Sequence, residues 1–249
     1  MQKRTIFYYL VTLLIILAVY LYTANAFIYY RIGQGNLTMP DRQNIYSLSH
    51  EGTESKIKYA ALGDSLTSGV GAEKYEESYP YLLTEKISEK NQGVTLTDFS
   101  QPGAQTKDLI NLYLPEVISN NPDIITVLIG VNDIHNHVSK EQFKNNYQYI
   151  LERLTKETKA KIYLINIPRI GSDTAILPPL NYYFDKETDD YNQIIKDLSV
   201  TYQVKYVDLN AEIKNLFKND GAHYSVDSFH PSALGYKLWA QIIYDRSDF

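Results

Sequence analysis

Five short apolar runs, with helical patterns between them, punctuate the chain from about residue 56 onward. The first, Ile57 to Leu62, ends at a glycine and reads as a buried strand. The second, about Val94 to Phe99, alternates apolar with polar residues. The third, Ile124 to Ile129, is continuous and β-branched, as a parallel strand covered on both faces should be. The fourth, Ile162 to Ile167, stops at Pro168, and the fifth, about Lys205 to Leu209, is short. Ser78 and Pro80 can start a helix whose Leu82, Leu83 and Ile87 face inward. Thr106 can cap a second, with Leu109, Ile110, Leu112 and Tyr113 on its apolar face and Pro115 breaking or kinking it. Ser139 to Gln142 has capping-box spacing, ahead of Phe143, Tyr147, Ile150, Leu151 and Leu154 at helical intervals. A long loop leads to a helix with Tyr191, Ile194, Ile195 and Leu198. The last helix begins near Pro231 and should bury Leu234, Leu238 and Ile242. Alternation of this kind predicts a three-layer α/β/α sandwich around a five-stranded parallel sheet, of flavodoxin-like type.

The N-terminus follows a different rule. After Lys3 and Arg4 no charge appears until Arg31, and Ile6 to Tyr22 is almost wholly apolar, with tyrosines near both ends. That length suits a membrane span with aromatic residues at its interfaces. Lys3 and Arg4 should stay cytoplasmic, which places the remainder outside. Ala24-Asn25-Ala26 also fits a signal-peptidase pattern, so secretion after cleavage near Ala26 is the alternative. The apolar run exceeds the usual signal core and resumes at Phe27, so an uncleaved anchor is the preferred reading. Residues 1–30 are thus read as anchor, 31–55 as a polar linker with Gly33, Gly35 and Pro40, and 56–249 as the globular domain. A sequon at Asn36-Leu37-Thr38 falls in that linker.

Composition narrows the classes. Hydrophobic residues at 44% and charged ones at 21% describe a globular chain, and about 200 residues suffice for one α/β core. A net charge of -5 gives no basic footprint for nucleic acid. The absence of cysteine removes disulfides, thiolate metal sites, cysteine nucleophiles and a lipid-modified N-terminal cysteine.

Candidate chemistry gathers at strand ends. Gly63-Asp64-Ser65-Leu66 follows the first strand, and a serine there lies in the crevice where open α/β sheets bind ligands, at the point where a helix should begin. Read alone, it also fits a plain turn with a serine cap. Gly103 follows the second strand and Gly130-Val131-Asn132-Asp133 the third; parallel pairing puts all three ends on one edge. Asp227-Ser228-Phe229-His230-Pro231 precedes the last helix. These four segments, in this order, resemble the SGNH hydrolases, also called the GDSL lipase/esterase family, over the chain from about residue 56. The resemblance implies Ser65 as nucleophile, His230 as general base and Asp227 as the group that orients His230. It further implies an oxyanion hole from the N–H groups of Ser65 and Gly103 and the amide of Asn132. No cofactor and no metal are implied.

Competing motifs are weaker. Asp220-x-x-His223 has the same spacing as Asp227-x-x-His230, but only the latter is followed by proline and an amphipathic helix. Asp133-x-His135-x-His137 could suggest a metal, yet histidines two apart in a loop are more often surface polar groups. His50 falls in the linker. The Gly-x-Ser-x-Gly elbow of α/β-hydrolases is absent at Ser65. The loop Ile170 to Phe184 could wall an acyl-binding pocket or pack back on the core. The expected activity is hydrolysis of acyl esters on a small molecule, lipid or glycan through an acyl-enzyme. The alternatives are O-acetyl esterase or O-acyltransferase action on cell-envelope glycans, and an inactive surface binding module. The span itself yields a test. The chain should remain in the membrane fraction with its domain open to external protease on intact cells; a soluble product beginning at Phe27 would show cleavage instead.

Overall fold

The computed structural model describes residues 2–34, 40–48, 55–90, 93–169, 171–217 and 221–249. Gly35, the Asn36-Leu37-Thr38 sequon, His50, Ile170 and Asp220 lie outside them. Six strands form one sheet: β1 Ile45–Leu48, β2 Ser55–Gly63, β3 Gly93–Ser100, β4 Ile124–Leu128, β5 Lys161–Ile165 and β6 Lys205–Val207. Their order is β1-β3-β2-β4-β5-β6, and every pairing is parallel except β1 with β3.

The chain steps from β2 to β3 on one side, then back across β2 to β4 on the other. That reversal makes the end of β2 a topological switch point, where neighbouring crossovers diverge and leave a crevice. One helical layer holds α2 (Tyr79–Lys90), α8 (Leu209–Phe217) and α9 (Ala233–Asp245). The other holds α4 (Leu114–Asn120), α6 (Lys140–Glu157) and α7 (Leu180–Thr201). Between them the β4 residues Ile125, Val127 and Leu128 are completely buried, as a strand covered on both faces requires. On α6 all five predicted apolar positions, Phe143, Tyr147, Ile150, Leu151 and Leu154, are buried, and the Ser139 side chain accepts from the Gln142 N–H as an N-cap.

Three local expectations are corrected. The sheet has six strands rather than five: β1 arises within the segment read as linker, because the free edge of β3 supplies its hydrogen-bond partners. Its residues alternate between exposed and half-buried, with Ile45 opposite Thr97. The inward face of α9 is rotated from the predicted one. Gly235, Tyr236, Trp239, Ala240 and Ile243 are buried, while Leu234 is 49% exposed. Bulky aromatics outcompete the leucines for the interior, since each removes more apolar area from water. Thr106 begins the short helix α3 (Thr106–Asp108) rather than capping it, and Gln105 occupies the cap position. Pro115 acts as expected. A π-turn, Leu109–Tyr113, widens the backbone just before it and lets α4 restart with proline in its first turn.

Helix α1, Gln2–Gln34, is long and apolar enough to cross a membrane. Most of its apolar side chains, Ile6 to Val19, are exposed, but Ala24 and Ile28 are buried against the domain, where α1 meets α7. The edge strand is held by charge as well as by its ladder. Arg42 donates to the Asp98 carboxylate, to Ser100 Oγ (2.9 Å) and to the Ser100 carbonyl (2.7 Å). Burial raises the Asp98 pKa, and Arg42 only partly offsets that. Arg42→Ala should therefore cost about 3–5 kcal/mol at neutral pH, the usual penalty for orphaning a buried ion. In the variant the folded state keeps a proton on Asp98 that the unfolded state releases. The loss should accordingly shrink as pH falls and grow as it rises, which thermal unfolding between about pH 5 and pH 8 would reveal.

Candidate active site

The end of β2 is shaped by a close approach. A Cβ on Gly63 would lie 2.0 Å from Thr67 Oγ1 and 2.5 Å from the Leu128 carbonyl, so only glycine lets the turn fold back here. The N–H groups of Thr67 (3.1 Å) and Ser68 (2.9 Å) close onto the Asp64 carbonyl, and Val70 N–H donates to the Ser65 carbonyl (3.0 Å). Ser65 thus sits in a compact turn rather than at the head of a helix; α2 begins only at Tyr79. Gly69 and Gly71 have φ of 77° and 100°, which interrupts any helical continuation. A Cβ on Gly71 would lie 2.3 Å from the Pro231 carbonyl and 3.0 Å from His230 Cβ. The Ser65 turn therefore packs directly on the histidine loop.

That loop is organised by one carboxylate. Asp227 Oδ1 accepts from Ser225 Oγ (2.6 Å), Phe229 N–H (2.9 Å) and His230 N–H (3.0 Å). Its Oδ2 lies 2.6 Å from His230 Nδ1, and His230 Nε2 lies 3.1 Å from Ser65 Oγ. Asp227 is fully buried and His230 nearly so. Burial pushes the Asp227 pKa up, but the hydrogen bond and charge of His230, with Ser225 and the Phe229 N–H, outweigh it and hold it below the ordinary value. The carboxylate stays ionised, which favours Nδ1–H on His230 and leaves Nε2 free to accept from the Ser65 hydroxyl.

The other two strand ends adjoin. Gln101 N–H donates to the Gly63 carbonyl (3.3 Å), and Gly103 takes φ of 82° with nothing near its Cβ position; backbone conformation, not space, selects glycine there. Asn132 lies in the short helix α5 (Val131–His135), and its amide donates to the Ala104 carbonyl (3.0 Å). Side-chain amides of Gln105 (3.4 Å) and Asn136 (2.7 Å) donate to the Asn132 carbonyl. The Ser65 and Gly103 N–H groups have no hydrogen-bond partner among the described residues. His230 thus touches both Asp227 and Ser65, while Asn132 on α5 is hydrogen-bonded to Ala104, the residue after Gly103. His223 lies on a helical turn, where its carbonyl accepts from Ser232 N–H (2.9 Å), and the ring that joins Asp227 to Ser65 is that of His230. Asp133, His135 and His137 turn to different partners: Thr106, Tyr29 and Tyr183. The described residues hold no cluster of three or more metal-binding side chains.

The sequence model of the GDSL-like Lipase/Acylhydrolase family matches residues 61–238, more than two thirds of the chain. This chain belongs to that family. Among curated relatives, the spore germination lipase LipC of Bacillus licheniformis is 27% identical over 209 residues, covering 74% of this chain and 93% of the relative. An acetylxylan esterase of Geobacillus stearothermophilus is 22% identical over 219 residues, covering 85% and 93%. The crystal structure of a lipase/acylhydrolase from Enterococcus faecalis superposes with a TM-score of 0.61 at 18% identity, covering 76% of this chain and 94% of the other. That of Axe2, an acetylxylan esterase from Geobacillus stearothermophilus, gives 0.62 at 19%, covering 78% and 95%. As a GDSL/SGNH hydrolase, the protein is an enzyme acting on ester bonds.

Several supporting residues of this GDSL hydrolase escaped the sequence reading. Ser225 is one; its position two residues before Asp227 was the available signal. Arg31 and Tyr29 of α1 are others: Arg31 donates to Ser228 Oγ in the histidine loop, and Tyr29 OH lies 2.8 Å from His135 Nε2. Two buried acids, each beside a motif residue, complete the set. Asp133 accepts from Thr106 N–H (2.9 Å) and Oγ1 (2.6 Å), yet burial still lifts its pKa to about 6. Asp64 receives Leu66 N–H (3.0 Å) on Oδ1, and burial raises it to about 7, with the charge of Asp133 adding to the rise. Both folded pKa values exceed the unfolded carboxylate value. The folded state therefore binds more protons between about pH 4 and pH 7, and stability falls as pH rises through that window. Asp64→Asn should flatten that decline and raise the melting temperature above pH 7 relative to wild type. Thermal melts at several pH values test this; an unchanged slope would contradict the assignment.

Proposed function

We propose that this GDSL hydrolase is a membrane-anchored, extracytoplasmic serine esterase working through a Ser65-His230-Asp227 triad. One observation carries the reading: the continuous chain of contacts from the Asp227 carboxylate through the imidazole to Ser65 Oγ. In the first step His230 Nε2 takes the Ser65 proton as Oγ attacks the ester carbonyl. The resulting oxyanion is met by the Ser65 and Gly103 N–H groups and the Asn132 amide, donors supplied by three strand ends. Collapse expels the alcohol, protonated by His230, and leaves an acyl-Ser65. Water, deprotonated by His230, then releases the acid. Asp227 stabilises the imidazolium in both halves without itself being protonated.

The relatives include a lipase and an acetylxylan esterase, so both lipid and glycan acyl esters fit the chemistry. Action on cell-envelope glycans, as O-acetyl esterase or O-acyltransferase, is the second reading, favoured by the likeness to the acetylxylan esterase. A binding module without activity is disfavoured by the retention of all five residues and by the contacts that join Asp227, His230 and Ser65. Anchoring is supported by α1, which stays helical through Ala24-Asn25-Ala26 with Ala24 and Ile28 packed on the domain.

Ser65→Ala should abolish ester hydrolysis and labelling by a fluorophosphonate. Asn132→Ala should lower kcat by roughly 100- to 1,000-fold with little change in KM, because the charge it meets exists only in the transition state. His223→Ala should be mild. Steady-state kinetics on a water-soluble chromogenic ester checks all three; an Asn132→Ala enzyme with full kcat and weakened binding would refute the oxyanion role.

A further inference from the structure

Helix α1 does more than precede the domain. Its outer turns run along the rim of the candidate site. Tyr20 OH donates to the Pro178 carbonyl just before α7, Ala24 and Ile28 are buried, and Tyr29 meets His135 on the helix that carries Asn132. Arg31 then reaches Ser228, two residues before His230. Phe184, one turn into α7, stacks on the His135 ring with centroids 5.9 Å apart. The first turns of α7, α5 and the histidine loop thus share one wall with α1.

Charge and length set that wall at a definite depth. No charged residue lies between Arg4 and Arg31. At about 1.5 Å per residue this uncharged stretch is about 39 Å long, close to the roughly 40–45 Å of a bilayer with its headgroups. Tyr20 and Tyr22 end the wholly apolar part, at the boundary between hydrocarbon and headgroups. Arg31 then falls at the outer headgroup surface. The contacts from Tyr20 to Arg31 fall between these two levels, and the segments they touch carry further exposed apolar groups: Tyr182 is 70% exposed in the first turn of α7, Tyr183 42%, and Val226, next to Asp227 in the histidine loop, 74%. Tyrosines at this depth form the belt that membrane proteins place at the interface.

We infer that the domain lies down on the outer leaflet, with the rim of the Ser65 site in the headgroup layer. The ester it receives belongs to a membrane amphiphile entering along the wall between α1 and the start of α7. This rests on the proposed triad and anchored topology, and it selects lipid over glycan as the substrate class. A tether that only retained the enzyme near the membrane would leave the outer turns of α1 free of the domain. Here they are packed into it.

The experiment uses the full chain in phosphatidylcholine vesicles. Tyr182→Trp adds a second tryptophan to Trp239, and brominated acyl chains should quench the added emission; unquenched emission would overturn the placement. Tyr182→Asp should lower hydrolysis of a fluorogenic glycerolipid ester in the vesicles by roughly tenfold, as a carboxylate replaces an aromatic anchor at the interface. Hydrolysis of a short water-soluble ester by the same variant should stay within about twofold of wild type. Equal losses on both esters, or an acetylated glycan hydrolysed faster than the vesicle ester by wild type, would overturn the lipid assignment. Failure of wild type on the soluble ester would instead overturn the esterase reading beneath it, while the quenching result would still judge the placement.

Discussion

Everything at the site depends on keeping Asp227 charged where charge is expensive. A carboxylate removed from water loses several kcal/mol of hydration unless donors replace it, and here four do so from within six residues of chain. Three of them engage Oδ1 and bend the backbone into a tight loop, with Ser228 at φ of 59°. The fourth, Nδ1 of His230, is the one with chemical consequence. A structural requirement, satisfying a buried anion, and the one the proposed triad would impose, orienting an imidazole, are met by the same hydrogen bonds. Each neighbour of the loop then reinforces it: Gly71 by close contact, Ser172 N–H on the Ser228 carbonyl (2.9 Å), and Arg31 on the Ser228 hydroxyl.

The sheet supplies what the loop cannot. Parallel pairing of β3, β2 and β4 places three strand ends in one row, at the point where the crossovers part to either side of β2, and each strand leaves through a turn that carries a glycine. The proposed oxyanion donors are two backbone N–H groups at the ends of parallel strands and one side-chain amide, Asn132, which its bond to the Ala104 carbonyl holds in place. This row carries a cost. Asp64 and Asp133 sit beneath it as buried acids, and their raised pKa values mark a local loss of stability near neutral pH.

The parallel core was legible because its runs are long enough in β-branched and aliphatic residues to leave one interpretation. So was the meeting of Ser65, Asp227 and His230, whose family spacing survives any error in the flanking elements. What escaped depended on partners distant in sequence. Strand β1 has four residues and a weak alternation, and exists because β3 offers an edge. Thr106 looks like a cap by every local measure, but Asp133, far along the chain, claims both its hydroxyl and its N–H. On α9 the periodicity was correct and the phase was not, since choosing between Leu234 and Tyr236 requires knowing what α2 presents to them. Of the expected loop from Ile170 to Phe184, Ala175 and Ile176 pack into the core and Leu180 already begins α7. The packing reading holds for its first half, and its second half is helix.

The separation of α1 from its docking sites has a consequence for how the chain is made. Tyr20 meets Pro178 across 158 residues and Arg31 meets Ser228 across 197, while Ser65 waits for His230 across 165. During synthesis the first helix emerges long before anything exists for it to rest on, and closing such long loops is entropically slow. The sheet through β5 can assemble first; the last segment, from Tyr224 to α9, must then arrive to build the histidine loop and seat the helix. The contact between Ser65 and His230 can therefore form only after the last segment has been made, and on the proposed mechanism a chain that lacks that segment would have a serine without its base.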